Sequence, residues 1–159
     1  MHRRRRVLRL PQLVTTFIHR RVDALRAGND PTFVARLSSG WAVLGEKQVL
    51  PGYCLLLPDP VVPTLNSMAG ADRAAFLGDM AALGDAVLSV THAVRINYAI
   101  FGNQDPALHA HVIPRYHDES APYATAQPWA YDWSKAPSFD LEQHRELRDR
   151  IHAQLGRKA

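Results

Sequence analysis

The sequence predicts an α+β domain: an antiparallel sheet of about five strands, one long crossover helix and a C-terminal helix. Three observations predict it. Short strand-like runs come in pairs around turn signals, a long segment with a helical apolar stripe separates the pairs, and the last charged stretch repeats its leucines at helical spacing. With 159 residues, 47% of them apolar, the chain has material for one compact core.

In order, TTFIHRRVDALRAG (15–28) sets Phe17, Ile18, Val22 and Leu25 at helical spacing and ends on Gly28, a C-cap signal. FVARLSSGWAVLGE and VLPGYCLLLPDP follow. Ser39-Gly40 separates two strand-like runs as a hairpin would, and the unbroken apolar run YCLLLP reads as a strand covered on both faces. From Ala71 to Val90 a stripe of Phe76, Met80, Leu83 and Val87 marks the long helix, with Asp72 placed to favour the positive end of its dipole. VRINYAIFG (94–102) reads as a strand, Asn103 to Pro106 as a turn, and LHAHVIPR (108–115) as the partner strand. The next stretch is rich in Pro, Ser and aromatics and reads as an ordered arm. DLEQHRELRDRIHAQL (140–155) is a charged helix with Leu141, Leu147, Ile151 and Leu155 on its apolar face. The organisation expected is a basic extension over 1–14, the domain over 15–117, and an arm and helix packed on it over 118–159.

Charge and cysteine content narrow the classes. The net charge is +4, but Arg3 to Arg6 and Arg9 concentrate it at the start. That cluster fits a nucleic-acid arm, a membrane-surface patch or a presequence, but reads first as a solvated extension. A presequence would be richer in serine, and a secretory signal would have a longer apolar core. No uninterrupted apolar run approaches the ~20 residues that cross a bilayer, so a non-membrane protein is expected. Cys54 stands alone, without a CxxC pair, which suits a cytoplasmic protein with no cysteine zinc site. No GxxxxGK phosphate loop is present, which excludes P-loop ATP chemistry.

The densest chemistry lies in GNQDPALHAHVIPRY (102–116). On a strand, His109 and His111 share one face with their Cβ atoms roughly 7 Å apart. Such a pair fits a metal site, a catalytic pair, or two satisfied polar residues in a groove. A zinc ion normally takes three or four protein ligands, and only His117 and Asp118 stand near enough in sequence to add to the pair. A neutral imidazole attacks phosphorus well near pH 7, and a second ring on the same face can donate a hydrogen bond to the phosphate. Arg115 and Lys47 are candidate charge partners for that phosphate, and Asn97, Asn103 and Gln104 candidate neutral donors.

That stretch resembles the signature of the histidine triad superfamily: a Gly-Asn turn, a proline, and a histidine strand that ends Pro-Arg. LPGYCLLLPDPVVPTLNSM upstream is similar to the Pro-Gly strand and helix entry of the same family, and the likeness runs from Trp41 to Tyr116, roughly half the chain. The resemblance implies a nucleotide hydrolase. The middle histidine of the triad falls on His109, the nucleophile at the α-phosphorus; the last falls on His111, which hydrogen-bonds the phosphate or bridging oxygen; Asn97 and Asn103 match positions that flank the phosphates. Three positions depart from the family pattern. Ala107 stands for the first histidine, Tyr53 for a histidine after Pro-Gly, and Gly45 where some relatives carry an asparagine. The Ala107 carbonyl can still accept a proton from His109 Nδ1 and aim Nε2 at the substrate.

The reading that follows is cleavage of a phosphoanhydride or phosphoramidate at a nucleoside α-phosphate through a nucleotidyl-histidine intermediate. Diadenosine polyphosphates are the first candidate substrates. No cofactor is required, Mg2+ is compatible with a polyphosphate, and a homodimer is implied by the resemblance. Leu37 and Leu44 are the expected base-pocket residues. The alternatives are a non-catalytic nucleotide-binding protein on the same fold, favoured by Ala107, and a nucleic-acid-binding module using the arginine tail, with affinity that depends steeply on salt. Aromatics in a Pro-rich arm, here Trp129, Tyr131 and Trp133, are expected to pack the arm onto the body or onto a second subunit rather than to stack on a base.

Overall fold

The structure is a computed structural model that describes residues 15–157; the arginine cluster at 3–9 lies outside them. In chain order the elements are α1 (Phe17–Arg26), β1 (Phe33–Arg36), β2 (Gly40–Leu44), β3 (Cys54–Pro58), α2 (Gly70–Thr91), β4 (Arg95–Ala99), β5 (Ala110–Arg115) and α3 (Leu141–Gly156). The five strands form one sheet in the order β1-β2-β3-β5-β4, every neighbouring pair antiparallel. The long helix α2 carries the chain from β3 to the far edge at β4, and β5 returns into the gap.

Strict alternation sends two sets of side chains to the two faces. Ala42, Leu44, Cys54, Leu56, Ala110 and Val112 pack on one face against Phe76, Leu83 and Val87 of α2 and Ile151 and Leu155 of α3. Val43, Tyr53, Leu55, Leu57 and Ile113 pack on the other against Ile18, Val22 and Leu25 of α1. Both faces of β3 are therefore covered and all five of its residues are buried, which is why its sequence shows no polar alternation. By length and composition α2 is apolar enough to cross a bilayer. Here it is a core helix, because its apolar stripe lies in the cluster beneath the sheet.

Boundaries follow local chemistry. Thr16 caps α1 by accepting from the backbone N–H of His19, and Gly28 takes φ +72° just beyond the helix, a conformation that favours glycine. Asp140 caps α3 through the N–H of Gln143. Leu141, expected on the apolar face of α3, is exposed because it sits in the first turn, before the helix reaches the core. The histidine strand starts at Ala110 rather than Leu108, since the Leu108 N–H bonds to the Val62 carbonyl instead of a sheet partner.

Candidate active site

His109 precedes β5 and His111 lies within it, paired with Leu55 of β3 and Ala99 of β4. Their ring centroids are 5.0 Å apart with the planes at 70°. The Nδ1 of His109 is 2.8 Å from the Ala107 carbonyl oxygen. A carbonyl only accepts, so Nδ1 carries the proton and the neutral ring keeps its lone pair on Nε2. Among the described residues that nitrogen has no partner. His111 is held differently: its Nδ1 is 2.7 Å from the Tyr53 hydroxyl. Burial, then the neighbouring His109, pushes the His111 pKa down to about 4, so it is uncharged at neutral pH.

Both rings line a cavity of about 580 Å3. Leu55, Phe17 and Ile18 form an apolar wall, Phe101 and Trp129 an aromatic one, and Asn103, Gln104 and Gln127 bring amides. The turn that carries Asn103 and Gln104 is tied to α1 by Asp105, whose Oδ2 accepts from the Ile18 N–H at 3.1 Å. Among the described residues, Asp105 Oδ1 is buried without a partner. Of the described residues lining this cavity, Asp105 is the one carboxylate-bearing side chain, and neither lysine nor arginine is among them. No group of three or more metal-ligating side chains occurs among the described residues, and His117 and Asp118 do not join the histidine pair.

Five expected contributors lie elsewhere. Arg115 shares the face of His111 but is buried under the arm, paired with Glu119 at 2.8 Å. Its NH1 also donates to Asn97 Oδ1 and the Ala126 carbonyl, and its NH2 to the Tyr123 carbonyl. Burial raises the Glu119 carboxyl pKa, but hydrogen bonds from Arg115, the Tyr116 N–H and Tyr131 outweigh it and hold the group below its ordinary value. Asn97 is thereby engaged as well, opposite Ile113 and outside the cavity. Lys47 donates to Ser138 and lines a different cavity beside Arg20 and Arg21. Leu37 and Leu44 belong to the cluster on the α2 face, so the apolar wall is Phe17, Ile18 and Leu55 instead. The parity of β2 and β3 decides this: Leu44 pairs with Cys54, one position out of phase with Leu55.

The arm residues divide. Tyr131 and Trp133 pack on the body, Tyr131 donating to Glu119 and Trp133 lying edge-on to Tyr53. Trp129 contacts His111 and Phe101 edge-on and remains 41% exposed on the cavity wall. Gln127, Trp129 and the start of α1 are site residues outside the motif, and Asp105 is one within its turn that the motif does not assign. Only the aromatic content of the arm and the acid inside the turn hint at them.

No family model matches the sequence, and no curated protein does. The likeness is in the fold. A histidine triad protein from Sinorhizobium meliloti 1021 superposes with a TM-score of 0.68 at 23% identity, covering 82% of this chain and 93% of that one. One from Bradyrhizobium japonicum gives 0.69 at 18%, covering 82% and 94%. A hypothetical histidine triad nucleotide-binding protein from Sulfolobus tokodaii strain7 gives 0.68 at 13%, covering 86% and 91%. The chain has the histidine triad fold.

Proposed function

We propose that the protein is a nucleotide hydrolase of the histidine triad superfamily, soluble and cytoplasmic, that cleaves a phosphoanhydride or phosphoramidate bond at a nucleoside α-phosphate. One observation carries the reading: the hydrogen bond from His109 Nδ1 to the Ala107 carbonyl leaves an unpartnered Nε2 facing a cavity with His111 beside it. The base would lie against Phe17, Ile18 and Leu55, with the phosphate among Asn103, Gln104, Gln127 and the histidines. His109 Nε2 attacks the α-phosphorus, and the bond to the leaving group breaks with its electron pair on that group. Water then attacks phosphorus, the P–N bond returns its pair to His109, and the nucleoside monophosphate leaves. Neutral donors stabilise the charge that develops on the phosphoryl oxygens.

No cofactor enters these steps, and Mg2+ would accompany only a polyphosphate substrate. With no lysine or arginine among the described residues of the cavity wall, a conjugate bearing one charged phosphate suits the site better than a diadenosine polyphosphate. The open outer edge of β4, where Val94 and Tyr98 are exposed, supports a second copy of the chain as partner.

The test is trapping. The protein is mixed with diadenosine tri- and tetraphosphate, adenosine phosphoramidate or an acyl adenylate and quenched in alkaline denaturant. Intact mass should rise by one nucleotidyl group, stable to base and labile to acid, and His109→Ala should lose both the adduct and turnover. Binding without adduct or turnover on every compound would replace this reading with a non-catalytic nucleotide-binding protein.

A further inference from the structure

Tyr53 is 5% exposed, and its ring fills the space above Gly45. A Cβ at position 45 would stand 2.2 Å from the Tyr53 ring, so the phenol needs glycine there. Trp133 closes over it edge-on at 5.3 Å, and the ring lies within 9° of parallel to that of His111. Among the described residues the Tyr53 hydroxyl has one hydrogen-bond partner, His111 Nδ1. Burial holds the phenol pKa above its ordinary value, so it stays protonated. A buried hydroxyl proton whose sole acceptor is Nδ1 must be donated to it. His111 then carries its own proton on Nε2, the opposite tautomer to His109. Releasing that proton would need Nδ1 to be reprotonated from a phenol that burial opposes ionising. His111 can therefore donate a hydrogen bond without serving as the acid.

We propose that Tyr53 is a positioning residue that fixes His111 as a neutral Nε2–H donor, and that the pocket consequently acts on nucleoside 5′-phosphate conjugates whose leaving group departs as a stabilised anion. This rests on the reading of His109 as nucleophile. In the first step the P–Nε2 bond to His109 forms, the bond from phosphorus to the leaving oxygen breaks, and that oxygen keeps the electron pair unprotonated. A carboxylate leaving from an acyl nucleotide meets this demand and leaves one phosphate charge in the pocket, whereas an alkoxide needs a proton that His111, so held, does not supply. The selection is made by leaving-group basicity, independent of the shape of the group.

Two readouts separate the inference from the reading beneath it. The first is the 15N spectrum of the His111 ring in the resting protein, which involves no turnover. It should show an Nε2–H tautomer that persists below pH 6, and Tyr53→Phe should mix the tautomers. An Nδ1–H tautomer in the wild type would overturn the proposal even if the enzyme is active. The second is turnover of adenosine 5′-aryl phosphates of equal charge and graded phenol acidity. The wild-type rate should fall by roughly tenfold per unit of leaving-group pKa, as expected where no proton is delivered. Tyr53→Phe should flatten that slope, because a freed His111 can take a proton and pass it on. A shallow wild-type slope, or one unchanged in Tyr53→Phe, would sink it. If His109→Ala turns these compounds over as well as the wild type does, the nucleophile assignment fails instead, while the tautomer measurement still stands.

Discussion

The two ends of the histidine strand occupy one face of one sheet and have opposite fates. At the N-terminal end His109 Nε2 and the amides of Asn103, Gln104 and Gln127 have no hydrogen-bond partner among the described residues and border a cavity. At the C-terminal end Arg115 is fully engaged: Nε and NH2 grip Glu119, NH1 reaches Asn97 and Ala126, and NH2 also reaches Tyr123. The first end can bind something from outside the chain, and the second binds the chain to itself. Spacing tells which face a side chain joins. Whether its donors are already taken depends on what folds over it, and here that is the arm that follows directly, beginning with Glu119 four residues on.

The largest expected effect separates the two ends by stability. Arg115→Ala leaves Glu119, whose side chain is 4% exposed, as a buried carboxylate without its cation. Breaking such a pair should cost about 3–5 kcal/mol in urea unfolding. It should also loosen the arm that brings Gln127 and Trp129 to the cavity. His109→Ala should do the reverse, stopping turnover while moving the unfolding midpoint little, since its ring faces open space. Equal destabilisation by the two substitutions would break the comparison.

A smaller effect is expected with pH. His111 binds a proton near pH 6.5 when unfolded and only near pH 4 when folded, so the unfolded state holds the extra proton between those values. Its stabilising contribution is complete above about pH 6.5 and falls as the pH drops toward 4, by on the order of 3 kcal/mol. His111→Gln should remove that part of the pH dependence in denaturation series at pH 7, 6, 5 and 4. If the two proteins lose stability in parallel, His111 is not the group titrating. Carboxylates such as Glu119, held below their usual range, give their losses at lower pH.

Much of the fold was legible because its signals are local and repeated. The period of Phe76, Leu83 and Val87, the Ser39-Gly40 turn and the unbroken run of β3 each mark an element, and each lies where the pattern put it. The histidine pair was legible too, because a period of two requires the shared face. The phosphate partners were not. Arg115 and Lys47 are good phosphate ligands by type, but Glu119 and Ser138 take them, and no spacing rule reveals that. The base pocket failed for a different reason: Leu44 and Leu55 are equally apolar, and only the register of β2 against β3 separates their faces. The tyrosine at 53 and the glycine at 45 look like two independent departures in sequence. In the fold they are one, since the ring of the first fills the space left by the second.

The smallest effect belongs to Lys47, and its smallness is what it tests. Its ammonium donates to Ser138 at the surface and lies outside the histidine cavity, beside Arg20 and Arg21 at another. An exposed hydrogen bond of this kind contributes at most about 1 kcal/mol, and a charge that does not line the pocket should barely alter the binding of one phosphate. Lys47→Met should therefore change stability by less than about 1 kcal/mol and leave kcat/KM within about twofold, a difference under ~0.5 kcal/mol in the barrier. A polyphosphate substrate could extend beyond the cavity and reach this second basic group. A large rise in KM for diadenosine tetraphosphate in Lys47→Met, with acyl adenylate unaffected, would show that long phosphate chains do bind and that the site reaches past its own wall.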